Sequence, residues 1–128
     1  MLYSRVTSRR TGRARMRLLG LVIFASLVGC DTGPSMEEKL ALADQLMPET
    51  PELSEIYQRT CRNCHTLEAT GAPLTGDQLH WKELIEAQGY DGLVENVLTG
   101  KGGMPPFGLC MECDPDQFAE LIQFMAQQ

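Results

Sequence analysis

Cys61-Arg62-Asn63-Cys64-His65 is the stretch on which the reading of this 128-residue chain turns. Two thiols are separated by two residues and followed at once by an imidazole, the C-x-x-C-H spacing of covalent haem c attachment. The chemistry accounts for the spacing. The thiols of Cys61 and Cys64 add across the two vinyl groups of a porphyrin, and His65, next in line, reaches the iron from the proximal face. Imidazole suits that iron, provided its other ring nitrogen has an acceptor that fixes the tautomer. Two other chemistries use such a cysteine pair. A redox pair needs no histidine and sits near a strand-helix-strand pattern, which is absent here. A zinc site needs two further ligands, which Cys110 and Cys113 could supply.

Downstream, Lys101-Gly102-Gly103-Met104-Pro105-Pro106 is a loop built to hold one methionine. The glycines let the backbone come close to a ring, and Pro105 restricts Met104 to extended conformations. A thioether opposite a histidine on haem iron raises the reduction potential and suits electron transfer. Met104 could also merely fill a gap, as methionines often do. The remaining methionines after the leader are poorer candidates, since Met125 falls on a helical stripe, Met36 and Met47 flank a leader helix, and Met111 lies between two cysteines. His80 is the rival sixth ligand.

The periodicity around these motifs is helical. Ser35 followed by Glu38 has capping-box spacing and predicts a leader helix to about Met47, stopped by Pro48. Leu53, Ile56, Tyr57 and Thr60 predict a helix over 51–61. Asp77 is placed to cap a third helix carrying Trp81, Leu84 and Ile85, and Asp91 a fourth carrying Leu93, Val94, Val97 and Leu98, closed by Gly100. Asp114, then Pro115, then Phe118, Leu121, Ile122 and Met125 mark the last helix most clearly. No alternating stretch is long enough for a sheet. The expected fold is all-α, four to five short helices wrapped around one covalent haem, and a large flat apolar cofactor would supply interior that so short a chain lacks.

The start of the chain reads as an address. Six of the eleven basic residues fall within the first seventeen positions, ahead of an apolar run from Leu18 to Val28. Eleven residues are too few to span a bilayer, which takes about twenty, but have the size of a signal-peptide hydrophobic region. Leu27-Val28-Gly29-Cys30 resembles a bacterial lipobox, in which the cysteine is lipidated; an ordinary cleaved signal with an incidental cysteine is the alternative. Arg9-Arg10 lacks the residues that usually follow a twin-arginine pair. The expected layout is 1–29 signal peptide of lipoprotein type, 30–50 lipidated tether and leader helix, and 51–128 haem domain. From Cys30 onward five basic residues face seventeen acids, a net charge of −12. A body this acidic excludes nucleic acid as a partner and favours basic protein surfaces.

Together, Cys61 to His65, Gly71-Ala72-Pro73, Trp81, Gly103-Met104-Pro105 and the closing amphipathic helix resemble a class I c-type cytochrome. Cys110-Met111-Glu112-Cys113 narrows the likeness to the bacterial cytochrome c-five type, over roughly Leu53 to the C-terminus. The resemblance implies that the Pro73 carbonyl accepts from the His65 ring, that Cys110 and Cys113 form a disulfide, and that the first and last helices of the domain cross near the haem edge. It also implies membrane-bound redox complexes or terminal reductases as partners. With Cys30 lipidated and Cys61 and Cys64 on haem, that disulfide leaves no thiol over, as an oxidising compartment favours. A reducible thiol switch at Cys110 and Cys113 is the other reading of that pair.

These features predict an exported monohaem carrier, lipid-anchored on the periplasmic side of a bacterial membrane, with no catalytic residues. It would pass single electrons between redox proteins and have no small-molecule substrate, because both axial positions are filled. A haem subunit fixed in a larger oxidoreductase is the alternative. An enzyme or gas sensor with a vacant iron site is a third reading and requires that Met104 not bind.

Overall fold

Ser35 opens the first helix, α1 (Met36–Gln45), through a reciprocal cap in which the Ser35 hydroxyl accepts from the Glu38 amide and the Glu38 carboxylate accepts from the Ser35 amide at 2.7 Å. The computed structural model that shows this describes residues 33–127. The expected signal segment, 1–29, and the lipidation candidate Cys30 lie outside the described residues. α1 stops at Gln45, short of Met47, because the chain turns extended at Leu46. α2 (Pro51–Arg59) begins with Pro51 at its first turn, where the missing amide costs nothing, and buries Ile56 and Tyr57. It ends two residues before Cys61, since Thr60 leaves the helical region and donates its hydroxyl to the Ile56 carbonyl at 2.6 Å. One further turn, α3 (Arg62–His65), then carries the second half of the cysteine motif.

The two helices expected behind Asp77 and Asp91 are the two limbs of α4 (Gln78–Thr99), separated at Gly89, whose angles (φ 69°, ψ 170°) are not helical. Asp77 occupies the cap position, yet its carboxylate binds Lys39 Nζ at 2.8 Å instead of a backbone amide. The break at Gly89 falls two residues ahead of Asp91, so the second limb opens before the expected cap. α5 (Pro115–Ala126) has the cap the sequence predicts: the Asp114 carboxylate accepts from the Gln117 amide at 2.9 Å, and the Gln117 side chain returns the bond to the Asp114 amide.

The core forms where α5 lays Phe118, Leu121, Ile122 and Met125 against Trp81, Leu93 and Val97 of α4 and Ile56 and Tyr57 of α2. Each such side chain contributes roughly 1.5–3 kcal/mol by leaving water. Tyr57 meets Phe124 edge-on, ring centroids 5.0 Å apart, and its hydroxyl shares a buried 2.9 Å hydrogen bond with Thr75. Among the described residues there is no strand, only an isolated bridge between Lys101 and Met104. The expected all-α fold is what the chain adopts. No helix among the described residues is long and apolar enough to cross a membrane.

The leader helix is docked rather than free. Ala43 is fully buried, and Arg62 donates to the Asp44 carbonyl at 3.0 Å. Gly76 lies beneath it: a Cβ there would fall 2.7 Å from Leu46 Cδ1 and 3.1 Å from Leu42 Cδ2, and its φ of +83° is one that glycine tolerates best. A residue without a side chain is what lets α1 lie so close to the loop after α3.

Candidate functional site

Cys61 and Cys64 are brought to one side of α3 because they are three positions apart, close to one helical turn. Both are free thiols, Cys64 exposed and Cys61 half-buried. Burial pushes the Cys61 thiol up from its usual range, and the Thr60 hydroxyl pulls it partly back. His65 follows on the same turn, and the structure brings its ring, both thiols and Met104 to the wall of one cavity of about 330 Å³.

The loop after α3 holds His65 from several sides. The Pro73 carbonyl lies 2.7 Å from His65 Nδ1. A carbonyl can only accept, so Nδ1 carries the proton and Nε2 keeps its lone pair. Burial lowers the His65 pKa below its usual value, against a smaller opposing effect of the Pro73 bond, and so favours the neutral ring that binds metals. The loop is itself pinned. Trp81 Nε1 donates to the Leu74 carbonyl at 2.8 Å, the Thr75 amide to the His65 carbonyl at 2.8 Å, and the Gly76 amide to the Met125 carbonyl at 2.7 Å. The Trp81 ring also stacks beside His65, centroids 6.0 Å apart. Rotation of the imidazole would break its bond to the Pro73 carbonyl, in a loop that is itself anchored to α4 and α5.

Met104 comes from the turn after α4. Paired backbone bonds with Lys101, at 3.1 and 3.0 Å, close this turn, and Gly100 enters it at φ +81°, ψ 151°, a region essentially reserved for glycine. The loop carries Met104 to the cavity half-buried. Met125 also lines the cavity, from the buried stripe of α5. His80 is exposed near the start of α4 and is not on the cavity wall. Phe107, Gly108 and Leu109 then all take positive φ, and Cys110 and Cys113 are joined by a disulfide just beyond. That bond removes the two ligands a zinc site would need, and no cluster of three metal-ligating His, Cys, Asp or Glu side chains exists among the described residues.

The donor set suits a covalently held iron porphyrin: two free thiols, a neutral imidazole with a fixed tautomer, a thioether, and a mostly apolar wall that includes Trp81, Leu84, Leu93, Val97 and Ile122. The sequence reading did not single out Gln88 and Asn96, which also line the cavity. Asn96 stands beside Glu95 in the stretch Leu93 to Leu98, and nothing local in the sequence marks it as facing the cavity.

Comparison with known proteins agrees with this geometry. Residues 48–125 match the family model described as cytochrome C oxidase, cbb3-type, subunit III. Cytochrome c5 of Ectopseudomonas mendocina is 38% identical over 73 residues, which cover 56% of this chain and 84% of that protein. Cytochrome c5 of Azotobacter vinelandii is 34% identical over 73 residues, 56% of this chain and 88% of that one. A solved structure described as the crystal structure of an electron transfer complex of nitrite reductase with cytochrome c is similar at a TM-score of 0.52 and 34% identity, covering 65% of this chain and 96% of that one.

Proposed function

Because this chain belongs to the class I c-type cytochromes, a family that includes the cytochromes c5, we propose that it is a tethered shuttle that docks transiently on basic surfaces of redox proteins. Membership itself makes it a monohaem electron carrier, not an enzyme, with haem c bound covalently. In our reading Cys61 and Cys64 hold the haem, His65 and Met104 are the axial ligands, and Pro73 orients His65. The observation that carries this is the convergence of both free thiols, the neutral His65 ring and Met104 on one cavity.

The bound group supplies a one-electron iron couple whose potential a thioether ligand raises. The chain's own residues do the rest. Pro73 keeps a proton on His65 Nδ1, leaving Nε2 to face the metal. Leu93, Val97 and Ile122 exclude water from the cavity wall. The Lys101–Met104 bonds keep the thioether in place, so little rearrangement is required when charge changes. Exposed Cys64 marks the side where the porphyrin edge meets solvent and partners.

We place the protein outside the cytoplasm, in the periplasm, held to the membrane by lipid on Cys30, with 1–29 removed and 30–50 as tether and leader. The lipobox-like residues support the anchor, and the net charge of −12 after Cys30 supports docking on basic surfaces whose association slows as salt rises. The nitrite reductase complex seen for a similar cytochrome is consistent with a terminal reductase as acceptor. The family model's own description, a subunit of an oxidase, favours the second reading, a haem subunit fixed in a complex. Stoichiometric co-purification would select that reading over the shuttle.

The decisive experiment expresses the chain in a host that matures c-type cytochromes, then pairs a haem-stained denaturing gel with a reduced-minus-oxidised spectrum. A coloured polypeptide with a far-red sulfur band when oxidised, and no ready carbon monoxide binding when reduced, is expected. A colourless polypeptide removes the attachment assignment, and ready carbon monoxide binding removes Met104.

A further inference from the structure

Three linked polar side chains interrupt the mostly apolar cavity wall, and none of them is a ligand assigned above. Gln88 ends the first limb of α4, Asn96 lies in the second limb beyond the bend at Gly89, and Lys101 stands in the methionine loop. All three line the cavity. Gln88 Oε1 accepts from Asn96 Nδ2 at 2.8 Å and from Lys101 Nζ at 2.9 Å. The bend is what brings residues 88 and 96 within reach, because on an uninterrupted helix eight residues span about 12 Å of rise.

With its carbonyl oxygen occupied twice, Gln88 has only its two N–H groups left to offer. Lys101 retains donors beyond the one given to Gln88, and Asn96 retains a second N–H. Lys101 is also the only Lys or Arg on the cavity wall among the described residues. Its backbone is paired with that of Met104 in both directions, and its exposed Nζ is tied by the bond to Gln88. Unspent donors gathered around one cation at the edge of an apolar cavity constitute a carboxylate site. A haem carries two carboxylates of its own, the propionates.

We propose that Lys101, Gln88 and Asn96 form a subsite for a haem propionate, and that the Lys101 charge holds the reduction potential up. The inference rests on haem occupying this cavity. A cation beside the redox group stabilises the state that has gained an electron and offsets the propionate's negative charge. At an effective dielectric of about 20, a unit charge about 12 Å from the redox centre shifts the reduction equilibrium by about tenfold, which for one electron is about 59 mV.

The test uses matured holoprotein, wild type and the variants Lys101→Gln, Lys101→Arg and Gln88→Leu, each first scored for haem by staining. Midpoint potentials come from spectroelectrochemical titration, and the resonance Raman propionate-bending band reports hydrogen bonding to the carboxylate directly. Lys101→Gln should lower the potential by about 59 mV and shift the Raman band, and Lys101→Arg should restore both. Gln88→Leu should move both in the same direction by less, because Lys101 loses its anchor and keeps its charge. Haem-loaded Lys101→Gln with wild-type potential and band overturns the subsite while leaving haem binding intact. A potential shift that disappears at high salt, with an unmoved Raman band, also overturns it, since a remote surface charge would behave that way. Colourless wild-type protein sinks the haem assignment itself, a result distinguishable from either.

Discussion

Replacing Gly100 by alanine tests whether the loop geometry, and not simply the presence of a methionine, keeps Met104 at the cavity. At φ +81° and ψ 151° the backbone lies where residues with a Cβ pay about 1–3 kcal/mol. The new methyl would also sit 2.9 Å from the Met104 carbonyl oxygen and 3.0 Å from the Pro106 nitrogen. Both obstacles are main chain, and neither can rotate away. Relief requires Met104 to shift, breaking a paired bridge to Lys101 whose bonds are each worth about 1 kcal/mol. The strain alone puts about 1–3 kcal/mol against the seated loop before the clash is added, a fall of roughly 5-fold to 150-fold in its advantage over a displaced one. Haem attachment, made on α3, should be untouched. The oxidised variant should therefore lose much of its far-red sulfur band and the reduced variant should bind carbon monoxide, at normal haem content. Gly108→Ala is the control: its Cβ would meet only Met104 Cε at 3.2 Å, a flexible tip, and Val97 Cγ1 at 3.8 Å. It should cost about 1–2 kcal/mol of stability for a positive φ and keep the band. If Gly100→Ala kept both its sulfur band and its indifference to carbon monoxide, the argument from backbone strain to ligand placement would be wrong.

Tyr57→Phe removes one partner of a buried hydroxyl pair and leaves Thr75 with an unmet hydrogen-bonding group, so denaturant unfolding should report a loss of about 1–2 kcal/mol with unchanged haem content. Gly76→Ala drives a methyl into Leu46 and Leu42 and should release the leader helix: limited proteolysis should then cut within 36–47, while the wild type resists there. Cys64→Ala should give at most one thioether by mass spectrometry and little mature holoprotein, and a normal yield would contradict the attachment assignment.

What the sequence revealed and what it concealed divide by range. The cap at Ser35 and Glu38 and the cap at Asp114 and Gln117 close over three residues, and the cysteine motif over five, so each contains its own explanation. Asp77 looked like a third cap of the same kind, but a lysine 38 positions earlier competes for its carboxylate, and nothing near Asp77 announces Lys39. The docking of α1 was undecidable for the same reason. Its own apolar stripe is weak, and the reason it lies down is the missing side chain at Gly76, thirty positions beyond Leu46. Phe107 and Leu109 take positive φ, which local preference argues against.

The bend at Gly89 matters most. The sequence suggested a division between two helices, and helix preference alone placed it at Asp91, the better cap. The chain instead turns two residues earlier, with α4 packed on α5 along both limbs and Trp81, Leu93 and Val97 buried in one core. The turn at Gly89 sets Gln88 and Asn96 2.8 Å apart on the cavity wall, with Lys101 Nζ 2.9 Å from Gln88. The ligands of a site like this are local and can be read directly. The groups that tune it are assembled by a backbone fault, and they become visible only once the fault is located.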